Sequence, residues 1–236
     1  MMDNRTEELQ RNLAAVHQRI AAAARAADRD PSGIRLLPVT KFHPAADVAR
    51  LISLGIVDVA ENREQEARTK AEEVSEAQVH MIGQIQSKKA NSVARWAAGV
   101  QSLDSLKLAH ALERGMGLAL ERGERASELL PCHLQLSADG DPQRGGVLEA
   151  DLDQLAQVVA ESQHLHLAGL MVVPPLGSDP FRVFARAREL SDGLAATFGR
   201  RMSLSAGMSG DLEQAVAAGS NIVRVGTGVL GRRPVP

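Results

Sequence analysis

The chain has 236 residues, enough for one domain or two small ones, and its 44% hydrophobic content is ordinary for a globular protein. A formal net charge of −2 and an aromatic content of 2% argue against a nucleic-acid binder, which needs a basic surface or side chains that stack on bases. The single cysteine, Cys132, excludes an intramolecular disulfide and any zinc site with two thiolates. The chain contains no tyrosine, so mechanisms with a tyrosine acid, base or nucleophile are excluded.

The start of the chain carries charges and no apolar run, which argues against a secretory signal. No window approaches about 18 consecutive apolar residues, so no membrane span is predicted. With only one cysteine, these features predict a protein of the reducing cytoplasm that binds neither membrane nor nucleic acid.

The predicted elements begin with an amphipathic helix over residues 4–28, which the turn sequence at 30–33 ends. Asn4 and Glu7 have the spacing of a capping box at its start. One face of this helix is apolar and consists of Leu9, Leu13, Val16 and Ile20.

After this helix, short apolar runs alternate with longer helix-like stretches. The runs predict strands at residues 35–41, 57–61, 79–83, 100–104, 130–137, 165–173, 202–206 and 222–227. The stretches predict helices at residues 45–54, 63–77, 106–114, 152–163, 181–198 and 212–218. This alternation predicts an α/β fold with a parallel sheet, and the number of strands favours a closed (β/α)8 TIM barrel over a doubly wound open sheet. No linker divides the chain, so residues 1–236 are predicted to form a single domain.

A barrel of this kind gathers its chemistry where strands end. Lys41 ends the first predicted strand, and burial of a lysine favours the neutral amine that attacks carbonyl groups. Lys41 is therefore a candidate Schiff-base lysine. The structural alternative is a strand-end lysine with its head in water, paired with a carboxylate such as Glu61.

Small residues end the seventh and eighth predicted strands and form the loops after them, within 203–211 and 221–228. Small residues let backbone N–H groups approach an anion, and barrels of this type frequently bind phosphate with these two loops. We therefore favour a phosphate site there over ordinary turns. Arg224 shares a strand face with Gly226, so it could face a heterocycle nitrogen, a phosphate or a carboxylate, or form a structural ion pair.

Other polar stretches have simpler interpretations. The charge-dense run at 61–76 is interpreted as a solvated helix face, and the basic segment at 86–89 as an exposed loop. Cys132 is interpreted as a buried, inert thiol.

Segments along nearly the whole chain resemble the pyridoxal phosphate homeostasis protein family, also called proline synthase co-transcribed protein. They are VTKFHP (39–44), ENREQE (61–66), HMIGQIQSKK (80–89), GLMVVPP (169–175), LSAGMSGDLEQAVAAGS (204–220) and VRVGTGVLGRR (223–233). The resemblance implies one barrel like the N-terminal domain of alanine racemase, with an extra N-terminal helix. It also implies that pyridoxal 5'-phosphate is bound as a Schiff base on Lys41.

The same resemblance assigns roles to further residues. The phosphate would be held by Ser205, Ser209, Gly226 and Thr227. Arg224 matches the arginine that faces the pyridine nitrogen, and Asn62 matches an asparagine near the cofactor. A guanidinium does not readily give a proton to that nitrogen, so the ring would be a weak electron sink. No metal is implied.

The chain departs from the family pattern at a few positions. Ala60, Gln84 and Ala206 stand where glycine, histidine and methionine are common, and these changes are conservative for cofactor binding. Ser137 stands where many members have asparagine, so a ring-contacting amide is missing there.

The resemblance implies a protein that buffers or delivers pyridoxal phosphate, with apo-enzymes as recipients, and that affects amino-acid and keto-acid balance. It implies a monomer or weak dimer. The alternative is a racemase-like enzyme with weak activity, because a two-base racemase needs the tyrosine that this chain lacks. A barrel aldolase that forms a Schiff base with its own substrate is disfavoured by the order of the motifs.

Overall fold

Eight parallel strands form the wall of a barrel within residues 3–232, the range that the computed structural model describes. They are β1 (Arg35–Pro38), β2 (Asp58–Glu61), β3 (Gln78–Met81), β4 (Gly99–Leu103), β5 (Leu130–Leu136), β6 (Leu165–Val172), β7 (Ser203–Ser205) and β8 (Ile222–Val225). Their order is β1-β8-β7-β6-β5-β4-β3-β2, and a parallel bridge between Val39 and Ala60 brings β1 back beside β2. The TIM-barrel prediction is confirmed, and the open-sheet alternative is wrong because β1 pairs with β8 on one side and meets β2 on the other, so that the sheet closes.

Helices cover the outside of this barrel. They are α1 (Asn4–Ala26), α2 (Ala45–Ser53), α3 (Glu64–Glu73), α4 (Ala90–Trp96), α5 (Leu106–Glu121), α6 (Glu149–Glu161), α7 (Pro180–Phe198), α8 (Leu212–Ala217) and α9 (Thr227–Leu230). None of these helices, taken over the described range, is both long and apolar enough to cross a membrane. The single-domain prediction for 1–236 also covers residues 1, 2 and 233–236, which lie outside that range.

The predicted N-terminal helix is present as α1, and it packs against α8 and α9. Arg5 and Asn12 donate side-chain hydrogen bonds to the carbonyl oxygens of Leu230 and Val229, both at 2.9 Å. The predicted capping box is wrong, because Asp3 caps this helix by accepting the Thr6 N–H at 2.7 Å.

The basic segment between β3 and β4 is exposed, as interpreted, but it is helical and not a loop. Ser87–Lys89 forms a 3₁₀ helix that leads into α4, an element the sequence did not predict. Lys89 lies 3.4 Å from Glu64 at the start of α3, so this basic segment ties two helices together.

The wall of the barrel is deeply buried, and most of its core residues are apolar. Every residue of β4 is buried, as expected for a strand that helices cover on its outer face. Cys132 in β5 is fully buried, and burial raises the pKa of its thiol to about 12, which agrees with an inert role.

One buried histidine makes stability depend on pH. His133 Nε2 in β5 lies 2.7 Å from Ser203 Oγ, and because this hydroxyl donates its own proton to the Ala168 carbonyl oxygen, the histidine is the donor. Burial lowers the pKa of His133 from 6.5 to about 3, with smaller contributions from nearby histidines and arginines. The unfolded chain therefore binds a proton at this residue at a higher pH than the folded chain does. The contribution of His133 to stability is complete above pH 6.5 and is lost as the pH falls towards 3.

We expect the difference in unfolding free energy between wild type and His133→Gln to change by about 2 kcal/mol between pH 7 and pH 5. Wild type should lose this amount relative to the variant, because glutamine does not titrate. Urea unfolding at both pH values measures it. If the unfolding free energies of the two proteins changed by the same amount between pH 7 and pH 5, the low pKa assigned to His133 would be contradicted.

Candidate functional site

A cavity of about 430 Å³ opens at the carboxyl ends of the strands. Its lining includes six of the predicted site residues, namely Lys41, Asn62, Ser209, Arg224, Gly226 and Thr227. Apolar side chains at the ends of β1, β3 and β6 also line it, namely Val39, Ile82, Met171 and Val173, together with Met208 and Gly210 from the loop after β7. Ser205 is not part of this lining.

Arg224 brings a buried positive charge to the floor of the cavity. It is 3% exposed, and its guanidinium donates to Ser205 Oγ at 2.8 Å and to the Val172 carbonyl oxygen at 3.0 Å. Burial lowers the pKa of this side chain to about 10. Between residues 3 and 232 no carboxylate forms a salt bridge with Arg224, so the structural ion pair considered for it is absent there. Its hydrogen-bond acceptors are both neutral, and Asp211 stabilises its charge only through a longer-range interaction, so this buried cation is suited to a polar ligand group.

Ser205 lies beneath Arg224, inside the barrel. Its hydroxyl is fully buried, donates to Gln101 Oε1 at 2.7 Å and accepts a hydrogen bond from Arg224. The role implied by the family resemblance, a phosphate contact, does not match this position. The geometry instead makes Ser205 a residue that holds the guanidinium of Arg224 in place.

We expect Ser205→Ala to lower the free energy of unfolding by about 1–3 kcal/mol, because Arg224 and Gln101 each lose a buried hydrogen-bond partner. The matched control is Ser209→Ala in the loop, which should change stability by less than about 0.5 kcal/mol. Urea unfolding of both variants measures the difference. Equal costs for the two substitutions would contradict the buried role of Ser205.

The two loops of small residues meet at the other end of the cavity, as the sequence predicts. The backbone N–H of Arg224 donates to the Gly207 carbonyl oxygen at 2.9 Å, which holds the loop after β7 against β8. Gly207 has φ +92, a conformation that favours glycine. Unbonded polar groups lie at this junction. Within the described chain, no hydrogen bond is made by the backbone N–H groups of Ser209, Gly210 and Gly226 or by the hydroxyls of Ser209 and Thr227. This arrangement provides hydrogen-bond donors for an anion.

Lys41 lies just beyond the barrel wall. The strand that was predicted to end at Lys41 ends at Pro38, and Lys41 follows in a turn. The next residue, Phe42, has φ +69, which is unusual for a residue with a side chain. Glu61, the carboxylate considered as a partner for Lys41, forms its ion pair with Lys70 at 2.5 Å.

A second cavity of about 280 Å³ adjoins the first and shares Asn62, Ile82, Met171 and Val173 with it. Gln84 and Ser137, two departures from the family pattern, line this second cavity. The other two, Ala60 and Ala206, are fully buried in the wall. Nowhere in the described part of the chain do three or more histidine, cysteine or acidic residues group as metal ligands.

Comparison with known proteins extends these observations. The family model described as alanine racemase, N-terminal domain, matches residues 11–234. A pyridoxal phosphate homeostasis protein of Corynebacterium glutamicum is 55% identical over 217 residues, which are 92% of this chain and 98% of that protein. The chain belongs to the pyridoxal phosphate homeostasis protein family.

Solved structures agree with this family. A protein from Bifidobacterium adolescentis described as unknown has a TM-score of 0.86 at 30% identity, with 97% of each chain covered. PipY of Synechococcus elongatus, solved with PLP bound, has a TM-score of 0.73 at 32% identity and covers 90% of this chain and 100% of its own. These two solved structures thus share the barrel of this chain over almost its full length.

Proposed function

We propose that this protein binds pyridoxal 5'-phosphate in the cavity of about 430 Å³, covalently attached to Lys41. The observation that carries the proposal is that three different chemical groups meet there: an amine, a set of unbonded N–H donors and a buried guanidinium. They match the aldehyde, the phosphate and the pyridine nitrogen of this cofactor. PipY, a structural relative, was solved with PLP bound, which supports the proposal.

Each part of the chain has a separate task in this proposal. The N–H groups of Ser209, Gly210 and Gly226 and the hydroxyls of Ser209 and Thr227 bind the phosphate. Asn62, which follows β2, lines the same cavity and would contact the cofactor ring. When bound, the cofactor supplies an aldehyde that condenses with the Lys41 amine and releases one water.

Arg224 sets the electronic character of the site. With a pKa of about 10 it keeps its protons at pH 7, so it donates a hydrogen bond to the pyridine nitrogen instead of protonating it. An unprotonated ring withdraws electrons weakly, which disfavours carbanion chemistry. This favours a carrier over a catalyst.

We infer that the protein buffers the cofactor in the cytoplasm and delivers it to apo-enzymes, which links it to amino-acid and keto-acid balance. The second candidate function is weak racemase-like activity, favoured by the match to the alanine racemase N-terminal domain. Turnover on a panel of L- and D-amino acids separates them. Rates equal to those of free pyridoxal phosphate would exclude the racemase.

The visible absorption spectrum of the purified protein tests cofactor binding. The protein should show an absorption band of the bound cofactor in the visible range. Borohydride reduction followed by peptide mass mapping should then locate the cofactor on the peptide that contains Lys41. The control is the same protein treated with hydroxylamine before reduction, which should carry no label. A protein that is colourless and takes up no added pyridoxal phosphate would overturn the proposal.

A further inference from the structure

A buried cluster of charges lies behind Lys41, between the barrel wall and α3. Its centre is Lys70, which is 3% exposed. Its ammonium donates to Glu61 Oε1 at 2.5 Å, to Glu66 Oε1 at 2.9 Å and to the Thr40 carbonyl oxygen at 2.8 Å. These acceptors use all three protons of the ammonium group.

The cluster holds the backbone on both sides of Lys41. On one side, the Thr40 carbonyl oxygen accepts a hydrogen bond from Lys70, and the Thr40 hydroxyl donates to Glu61 Oε1 at 2.5 Å. On the other side, the Phe42 N–H donates to Glu66 Oε1 at 2.7 Å. One lysine therefore links the contacts that fix the residue before Lys41 and the residue after it.

The turn that carries Lys41 needs such support. Phe42 adopts φ +69, which costs about 1 kcal/mol or more for a residue with a side chain and persists only where the surroundings impose it. Glu66 imposes it by binding the Phe42 N–H, and Lys70 in turn orients Glu66. The direction in which the Lys41 side chain leaves the backbone depends on this chain of contacts.

Stability alone does not account for the cluster. Buried ion pairs are often replaceable by apolar side chains without loss of stability, because desolvation offsets their attraction. Here one oxygen of Glu61, Oε2, is also buried without a hydrogen-bond partner among the described residues. A cluster with that cost, wrapped around the turn beside the cavity, points to a role in positioning.

We propose that Lys70, acting through Glu61 and Glu66, is a positioning residue that presents the Lys41 amine to the cofactor aldehyde. The inference rests on the proposed function, since it assigns a role within the same site. The phosphate contacts come from the loops after β7 and β8, and the contact to the ring nitrogen comes from Arg224. Among the described residues, no hydrogen bond joins these groups to the cluster, and Asn62, which follows Glu61, is the one predicted non-covalent cofactor contact beside it. Lys70 therefore acts on the covalent bond and leaves the phosphate and Arg224 contacts intact.

A pair of ligands separates these two parts of binding. Pyridoxal phosphate can form the bond with Lys41, whereas pyridoxine phosphate, which carries an alcohol in place of the aldehyde, cannot. We expect Lys70→Met to weaken binding of pyridoxal phosphate by about tenfold, the equivalent of one lost hydrogen bond at the bond-forming step. Binding of pyridoxine phosphate should change by less than about twofold, because its contacts are unaffected.

The matched control is Lys89→Met, since Lys89 also pairs with a glutamate of α3 but lies at 3.4 Å from it on the surface. This variant should bind both ligands like wild type. If Lys70→Met fails to fold, Glu66→Met and Glu66→Gln replace it. Glutamine keeps an oxygen for the Phe42 N–H and should preserve binding, whereas methionine should reproduce the selective loss.

The results distinguish two failures. Equal weakening of both ligands by Lys70→Met, or no weakening of either, would overturn the positioning role while the proposed function stands. A wild-type protein that binds neither ligand would overturn the proposed function itself. We expect Lys70→Met and Glu66→Met to weaken binding of pyridoxal phosphate but not of pyridoxine phosphate, and Glu66→Gln to bind both ligands like wild type.

Discussion

Lys41→Ala is expected to abolish covalent attachment of pyridoxal phosphate while the barrel stays folded. The side chain lies in a turn beyond the end of β1 and is only partly buried, so its removal leaves no cavity in the core. Affinity should fall by roughly a hundredfold, about 2.8 kcal/mol, because only the phosphate and ring contacts remain. Borohydride labelling, equilibrium binding and circular dichroism measure the three parts of this expectation.

The control for this substitution is Lys107→Ala, which removes an exposed lysine at the start of α5. It should retain the absorption band and the label. Label that persists in Lys41→Ala would assign the attachment to another lysine. Loss of helical signal in Lys41→Ala would show that the residue supports the fold and not only the site.

Gly169→Ala is expected to lower the free energy of unfolding by at least about 3 kcal/mol, the largest stability effect of any substitution considered. Gly169 lies in β6 with φ +147, a conformation that residues with side chains rarely adopt. An added methyl group would also overlap the backbone of Ser203 in β7, including its carbonyl oxygen. Neither strand can move away, because both belong to the closed wall.

Urea unfolding of Gly169→Ala beside Gly193→Ala measures this effect against a matched change. Gly193 lies within α7 and has no heavy atom within 4 Å of an added methyl group. Alanine there should raise stability by up to about 1 kcal/mol, because it is the better helix former. Similar stabilities of the two variants would contradict the tight approach of β6 to β7.

The sequence predicts the strands well because buried parallel strands are short, nearly continuous apolar runs. It misses α4, whose buried residues are Ala90, Val93 and Ala94. Two alanines and one valine in a short polar stretch give a weak periodic signal, and the lysines before them resemble a loop. The packing of α4 against its neighbours stabilises a helix that its own composition does not announce.

The site shows a similar limit. The rule that polar residues gather at strand ends identifies the residues that line the cavity. It cannot tell how deep a side chain lies in the barrel, so Ser205 and Ser209 of one motif receive the same predicted role although Ser205 lies beneath the floor. Depth depends on the layers that the closed sheet creates, which is a tertiary property.

The interpretation of the run at 61–76 as a solvated face is wrong at two positions. Glu61 is fully buried and Lys70 nearly so. The sequence does contain one indication of a buried face, because the apolar residue Ala67 lies three residues before Lys70 and therefore on the same side of the helix. The structure shows both residues buried. The density of charges around these positions hides that indication, because a charged residue is almost never buried unless it is paired.

The barrel wall has a seam between β1 and β2, which within residues 3–232 meet through the isolated bridge of Val39 with Ala60. Segments with few backbone hydrogen bonds open locally at a fraction of the cost of global unfolding. Lys41 follows one side of the seam and Asn62 the other, and both line the same cavity. A molecule bound in this cavity would contact residues on both sides of the seam and hold them together. Binding in the cavity should therefore reduce local opening of the seam, and amide hydrogens of β1 and β2 should exchange more slowly when the cavity is occupied.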